Sequence, residues 1–404
     1  MKKKIIIYSI ATLIIIMAAA SAYYFFYYRK LPKVWSPQNA LQKSSAPSLA
    51  DSGDVESLVR SIDADLRYFE KADPLNAVAF GKEWVPISQI KESLLDFKSK
   101  LLQYRLTDTF FNYIKKNYRF YRSAADEVLF TGYYEADLRG SLTPSAEYRF
   151  PLYRTPDDLI RIDLSKFYFY HRDKDLPPLL RGRVALDKKN TIIPYYSRRE
   201  IDDFHYLAGK GLELVWVDNL VDVFFLQIQG SGIVQLDNGT NLRIGFDETN
   251  GHPYRAIGKL LLQQNVLTYE NMSMQTIRQY LDNHPGKVTE ILNYNPSYVF
   301  FRLLEEGPIG FIGVPLTPYR SLAMDKGLFP KGGLCYIETT VPVFDEQKKV
   351  QAWKPFRGFL LNQDTGGAIR SPGRADLFTG YGEPSRLTAG HMKQTGMFYF
   401  LIKK

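Results

Sequence analysis

The rhythm of hydrophobic and polar positions changes along this chain. Ile5 to Ala22 is an almost uncharged apolar run behind Lys2, Lys3 and Lys4. It continues through Tyr23, Tyr24, Phe25, Phe26, Tyr27 and Tyr28 to Arg29 and Lys30. Such a run is long enough to span a bilayer core of about 30 Å. The aromatic cluster before two cations reads as an interfacial belt, which favours an uncleaved anchor. A signal peptide cut at Ala20-Ser21-Ala22 is the alternative. Either one exports the rest of the chain. No cysteine lies near residue 20 to carry a lipid.

Residues 34–54 hold two prolines and many Ser and Ala with little periodicity. They read as a spacer. Asp54 is placed to cap a helix with Val55, Leu58, Val59, Ile62, Leu66 and Phe69 on one side. A second helix is expected from Ser88, a third over Tyr254 to Gln264 and a fourth over Ser273 to Asn283. Elsewhere short strands alternate with turns. Val128-Leu129-Phe130 precedes a polar and glycine stretch, and Leu214 to Val217 precedes Asp218-Asn219. Phe224 to Gln229 alternates like a strand up to Gly230. Val234-Gln235-Leu236 and Leu242-Arg243-Ile244 flank Asp237-Asn238-Gly239, a hairpin signal. From Gly307 onwards, apolar runs alternate with Gly and Pro turns. The chain is therefore β-rich, with helices in its first and middle thirds.

Composition narrows the class. With 45% hydrophobic and 24% charged residues, the 404-residue chain is globular rather than disordered or polytopic. The net charge of +9 comes mainly from six cations within residues 1–33, which contain no acid. No basic stripe remains in the folded part, and nucleic-acid binding is not expected. The single cysteine, Cys335, sits in an apolar run and reads as a buried thiol. The five histidines show no metal-ligand spacing, so no metal is expected. Nucleophile-elbow, phosphate-loop and dinucleotide patterns are absent.

The densest polar and glycine constellation is Asn362-Gln363-Asp364-Thr365-Gly366-Gly367-Ala368-Ile369, behind Phe359-Leu360-Leu361. An acid at a strand end beside Gly366 and Gly367 can be approached closely by a bulky ligand. Partial desolvation there would raise its pKa and suit it to general acid work. Asp376 supplies a second carboxylate twelve residues on. The plainer alternative is an Asx-turn at Asp364 and a loop cap at Asp376. Tyr133 and Tyr134 beside Gly132 could form a sugar-stacking wall or belong to a core. Gln227 and Gln229 before Gly230 and Ser231 would share one strand face and could bond hydroxyls or N-acetyl groups.

Taken together, these strings resemble the membrane-bound lytic murein transglycosylase A family. The matching pieces begin with Phe130-Thr131-Gly132-Tyr133-Tyr134, then Tyr195 to Ile201, then Gln227 to Gly232. They continue with Asn250 to Gly258, Asn295 to Phe301, and Val314 to Asp325. The last is Gln363 to Ile369 with Asp376-Leu377-Phe378. They run in family order over roughly residues 120–400.

The resemblance implies a mainly β fold with helices: a double-psi β-barrel with a smaller inserted β-domain and a substrate groove between them. On that basis residues 1–33 are the anchor or signal segment and 34–54 a linker. Residues 55–135 begin the barrel, 136–245 form the insert and 246–404 complete the barrel. The implied reaction cleaves the β-1,4 bond between N-acetylmuramic acid and N-acetylglucosamine in peptidoglycan, leaving a 1,6-anhydromuramoyl end. No cofactor is implied. Asp364 matches the family's catalytic aspartate. Asp376 and Asp325 match nearby acids expected to tune or position it. Thr131, Tyr133, Gln229 and Ser231 match groove positions. An anchored chain would face the periplasm from the inner membrane, and a cleaved one would be periplasmic or associated with the outer membrane. Glycan strands are the expected partner, with a wall-remodelling complex as a further one. A peptidoglycan-binding protein without activity, and a hydrolase on the same barrel, are the competing readings.

Overall fold

The computed structural model describes residues 34–170, 179–188 and 190–404; the N-terminal anchor or signal segment lies outside the described residues. Residues 37–404 form one unit. They open with helix α1 (Pro37–Ala40) and strand β1 (Leu41–Ser44). Helix α2 (Val55–Lys71) starts at Asp54, whose carboxylate accepts the Ser57 N–H at 2.6 Å. Its Leu58, Ile62 and Phe69 are buried, as the spacing requires. The hairpin β2 (Ala77–Phe80) and β3 (Glu83–Pro86) leads to α3 (Ile87–Tyr104) and α4 (Asp108–Asn117). Then come β4 (Tyr118–Ser123), β5 (Val128–Ser141) and β6 (Phe150–Tyr153).

A small three-stranded sheet follows: β7 (Ile160–Asp163), β8 (Leu179–Val184) and β9 (Ile192–Pro194). Next are α5 (Arg198–Asp202), β10 (Glu213–Val217), α6 (Leu220–Gln229), β11 (Ser231–Leu236) and β12 (Asn241–Thr249). Three helices precede β13 (Val299–Leu304): α7 (Ile257–Gln263), α8 (Met274–Asn283) and α9 (Val288–Asn293). The C-terminal part comprises β14 (Ser321–Ala323), β15 (Leu334–Phe344), β16 (Val350–Asp364), β17 (Arg374–Tyr381), α10 (Gly382–His391) and β18 (Lys393–Lys403).

Six strands close on themselves in the order β5, β17, β14, β16, β15, β18 and back to β5. Two of these contacts, β5 with β17 and β14 with β16, are parallel. This closed, mixed ring is the barrel that the resemblance implies, and closure leaves it without free edges. Phe130, Leu361, Leu377, Phe398 and Phe400 are among its fully buried side chains. The C-terminal half of β5 leaves the ring and pairs with β11 and β10. One strand thus belongs to the barrel and to the neighbouring β-layer. The boundaries expected at 135/136 and 245/246 fall inside β5 and β12.

Two local expectations are corrected. Phe224 to Gln229 is helical. Asn219 caps α6 by accepting the Val221 N–H at 2.8 Å, and Gly230 ends it in the left-handed region at φ 84°. Val223 and Leu226 pack into one core, and Val221, Phe224 and Phe225 into another. A helix buried on two sides loses the one-sided stripe that would announce it. Strand β5 runs unbroken from Val128 to Ser141, through the polar and glycine stretch after Phe130.

The stretch 34–54 is also more than a spacer. β1 pairs with β4, and Asp51 makes two 2.8 Å bonds to Arg320, which is 1% exposed. Arg320 also donates to Ser57 Oγ and to the Asp54 and Phe359 carbonyls. Pro and Ser content concealed a segment whose polar groups are answered from elsewhere in the chain.

Candidate active site

Strand registers assemble one polar row across the barrel wall. In β14, Ala323 is opposite Asp364 of β16 on one side and Asp376 of β17 on the other. Asp376 is in turn opposite Thr131 of β5. The short side chain of Ala323 leaves the two carboxylates with one strand between them.

The two acids have different surroundings. Asp376 Oδ1 accepts the Thr131 hydroxyl at 2.7 Å and Arg374 Nε at 2.9 Å, and its Oδ2 accepts Arg374 Nη2 at 3.0 Å. Arg374 and Asp376 are two apart on a strand, so they share a face. This carboxylate is held at both oxygens by donors that favour its charge.

Asp364 ends β16 and has weaker support. Its Oδ1 accepts the Phe311 N–H at 3.0 Å from the loop before β14. The Tyr133 phenol stands beside it, yet the Tyr133 hydroxyl is buried and closes no hydrogen bond of normal geometry. Burial pushes the Asp364 pKa up to about 6, and the Asp376 charge adds to the rise. The Thr365 backbone, Tyr133 hydroxyl and Phe311 N–H oppose it. Burial and the Asp364 charge together push the Tyr133 phenol well above its ordinary value, so it stays protonated.

The base of Asp364 is fixed from behind. Gln363 donates to Ser61 O at 3.1 Å and to Asp65 Oδ1 at 2.6 Å, both on α2, and accepts from the Ser61 and Ser321 hydroxyls. Asp65 is fully buried, and desolvation holds its carboxyl pKa well above the usual range. Asp65, Ser61 and Ser321 therefore clamp Gln363, the residue before Asp364.

The other expected site residues divide. Gly366 and Gly367 follow Asp364, and a Cβ at Gly367 would meet open space. Asp325 Oδ1 accepts the Gly327 N–H at 2.9 Å in a turn; no hydrogen bond or ion pair joins it to Asp364 or Asp376 among the described residues. Tyr134 points to the opposite face of β5 from Tyr133 and is buried in the adjoining core, so it forms no stacking wall. Gly132 permits close packing, since a Cβ there would lie 2.6 Å from Ala389 Cα of α10.

Gln227 and Gln229 are two apart on a helix and therefore do not share a face. Gln227 is buried and accepts from Arg198, whereas Gln229 Oε1 accepts the Tyr134 N–H at 3.0 Å. Gly230 closes α6, and Ser231 is buried at the start of β11 opposite Gly245.

Arg374 and Phe311 are members of the site to which the sequence assigned no role. The i, i+2 spacing of Arg374 and Asp376 on a strand carried that signal. Phe311 carried none, because its contact depends on how a distant loop folds. Tyr254 reaches towards the same region from the segment after β12. Partial burial lifts its phenol pKa, while Arg374 of the barrel and Arg198 of α5 pull it down. A separate cavity of about 840 Å³, lined by Tyr153, Asp202, Glu213, Trp216 and Leu281 among others, shares no residue with this row.

Fold and site define a barrel protein with an inserted β-layer and one partly desolvated aspartate on the wall. The model of the MltA specific insert domain matches residues 129–302, and that of the 3D domain matches residues 320–402. The crystal structure of a membrane-bound lytic murein transglycosylase from Agrobacterium tumefaciens is 30% identical, with a TM-score of 0.74. That comparison covers 90% of this chain and 98% of that one. The chain belongs to the membrane-bound lytic murein transglycosylase A family.

The Vibrio cholerae membrane-bound lytic murein transglycosylase A is 31% identical over 277 residues, 68% of this chain and 65% of that protein. The aligned stretch thus spans 65% of that relative's length. The Escherichia coli MltA structure with bound chitohexaose shares the fold, with a TM-score of 0.68 at 21% identity over 93% of this chain and 97% of that one.

Proposed function

We propose that this protein is a lytic transglycosylase. It cleaves the β-1,4 bond between N-acetylmuramic acid and N-acetylglucosamine in peptidoglycan and leaves a 1,6-anhydromuramoyl end. The observation that carries this reading is the asymmetry of the row. Asp364 is lifted to a pKa of about 6, whereas Asp376 has both oxygens committed to Arg374 and Thr131.

A protonated Asp364 delivers its proton to the glycosidic oxygen as the C1–O bond breaks. The N-acetylglucosamine hydroxyl departs. The muramoyl C6 hydroxyl then bonds to C1, and the Asp364 carboxylate takes the C6 proton, which regenerates the acid. No water is consumed. Intramolecular attack supplies a high effective concentration in place of a bound nucleophile.

A hydrolase on this barrel would need its second carboxylate free to activate water. The bonds to Arg374 and Thr131 argue against Asp376 in that role. Asp376 acts instead as a positioning charge, together with Thr131. Tyr133 holds a neutral hydroxyl beside the acid. Gly367 leaves room for the sugar, Gly366 packs closely against Ile369, and Asp325 shapes the turn after β14. The reading keeps the family's two-part organisation, a barrel interrupted by an insert. It also exports the chain to the periplasm, where residues 1–33 hold it to a membrane.

The test is mass spectrometry of purified glycan strands digested by the full chain in detergent. Products one water lighter than reducing ends, absent with Asp364→Asn, are expected. Reducing ends would mean a hydrolase. Binding to sacculi without cleavage would mean a binding protein.

A further inference from the structure

Phe311, which donates its N–H to Asp364, leaves its ring 42% exposed. Lys326 Nζ stands 5.0 Å from the ring centroid and Lys331 Nζ 4.8 Å. Lys326 follows β14, Lys331 precedes β15, and both reach the loop that carries Phe311. Arg370, in the loop after Asp364, and Arg181, from β8, lie close enough to Lys326 for their charges to act on it. Of these cations, only Arg181 makes an ion pair among the described residues, with Glu248. Asp325 is adjacent, but its Oδ1 is committed to the Gly327 N–H.

Convergence of like charges is unfavourable, and among the described residues only Asp325 beside Lys326 and Glu248 on Arg181 offset part of it. Burial of Lys326, reinforced by the cations Arg370, Arg181 and Lys331, moves its ammonium pKa below the ordinary value. The lysine stems can lie along the exposed ring while their heads stay in water. An aromatic plane bordered by cations that form no ion pair among the described residues is suited to a sugar that carries a carboxylate.

We propose that Phe311, Lys326, Lys331 and Arg370 form a subsite for the carboxylate borne by the muramoyl residue next to the cleaved bond. This rests on the transglycosylase reading and extends it to substrate choice. Two sources share that chemistry: the lactyl carboxylate of a peptide-free muramoyl residue, and the carboxylates of a stem peptide. A neutral N-acetylglucosamine oligomer has neither.

The experiment measures binding by calorimetry with the full chain in detergent, carrying Asp364→Asn to prevent turnover. Three probes are used: chitohexaose, a peptide-free N-acetylglucosamine–N-acetylmuramic acid hexamer, and the same hexamer with stem peptides. At least one carboxylate-bearing probe is expected to bind about tenfold tighter than chitohexaose, and the preference should weaken with salt. The probe with the larger gain identifies the source. Lys326→Ala with Lys331→Ala should bring the preference close to unity, and Lys326→Arg with Lys331→Arg should restore most of it. Unfolding midpoints of each variant confirm that the fold persists.

An unchanged preference in the double alanine variant would overturn the subsite. So would equal binding of all three probes. If no saccharide binds and the chain with Asp364 intact yields no anhydro products, the transglycosylase reading itself fails. Anhydro products together with an unchanged preference would sink only the subsite.

Discussion

Two polar sites in this molecule, one buried and one partly buried, deal with charge in opposite ways. In the β-layer beside the barrel, Arg198 is 1% exposed, and every nitrogen of its guanidinium has a partner. Nε donates to Asn295 O at 3.0 Å, Nη2 to Ser297 O at 2.8 Å and to Gln227, and Nη1 faces Asp202 at 3.4 Å. The Phe224 and Tyr298 rings flank it. Asn250 ties the same strings together by bonding Tyr196 O and Pro296 O and accepting the Tyr298 N–H.

On the barrel wall, Asp364 accepts one backbone N–H at its Oδ1 and stands beside a hydroxyl that closes no bond. A charge with partners on all sides makes a rigid joint. A carboxyl with too few partners sits near its own protonation threshold, which is the condition general acid catalysis requires.

The contrast can be broken at either end. Asp364→Asn should reduce turnover by about 10²- to 10⁴-fold, the usual contribution of a positioned acid. The same change should preserve or raise stability at pH 7. A carboxyl whose folded pKa is raised contributes its stability below the unfolded value of 3.8 and loses it as pH rises through about 6. The amide removes that loss, and a melting curve at pH 7 checks it. Arg198→Met should behave inversely. It strands Asp202 and two carbonyls, costing about 3–5 kcal/mol in denaturant unfolding. Turnover per folded molecule should hold.

Gly132→Ala should cost about 1–3 kcal/mol, since its Cβ would press into α10. The smallest effects sharpen the picture of the site itself. Asp376→Asn removes a charge that raises the Asp364 pKa, so the alkaline limb of activity should move to lower pH. Tyr133→Phe removes a hydroxyl that favours the carboxylate, so the limb should move to higher pH. Movement of both limbs in one direction would contradict the assigned surroundings.

These two sites were not equally legible in the sequence. The Asp54 cap, the helix capped by Ser273 and the hairpin around Gly239 follow local rules of capping and turn chemistry, and the helix near residue 88 follows its apolar spacing. The structure reproduces them. Asp364 stood out because an acid beside two glycines at a strand end is a local pattern.

The row that contains it was hidden. It depends on registers between strands that start at residues 128, 321, 350 and 374. Helix α6 was misread because two cores bury it, and Gln227 then changed from a groove residue to a partner of Arg198. The stretch 34–54 looked like a linker because Asp51 finds Arg320 only after the chain returns 269 residues later.

The most direct test of the central claim is the pH dependence of kcat/KM on purified glycan strands between pH 4 and pH 9. Asp364 must begin each turnover protonated. The account therefore predicts a limb falling about tenfold per pH unit above roughly pH 6, displaced downward by Asp376→Asn. A profile that is flat through pH 8, or that rises there, would contradict Asp364 as the acid.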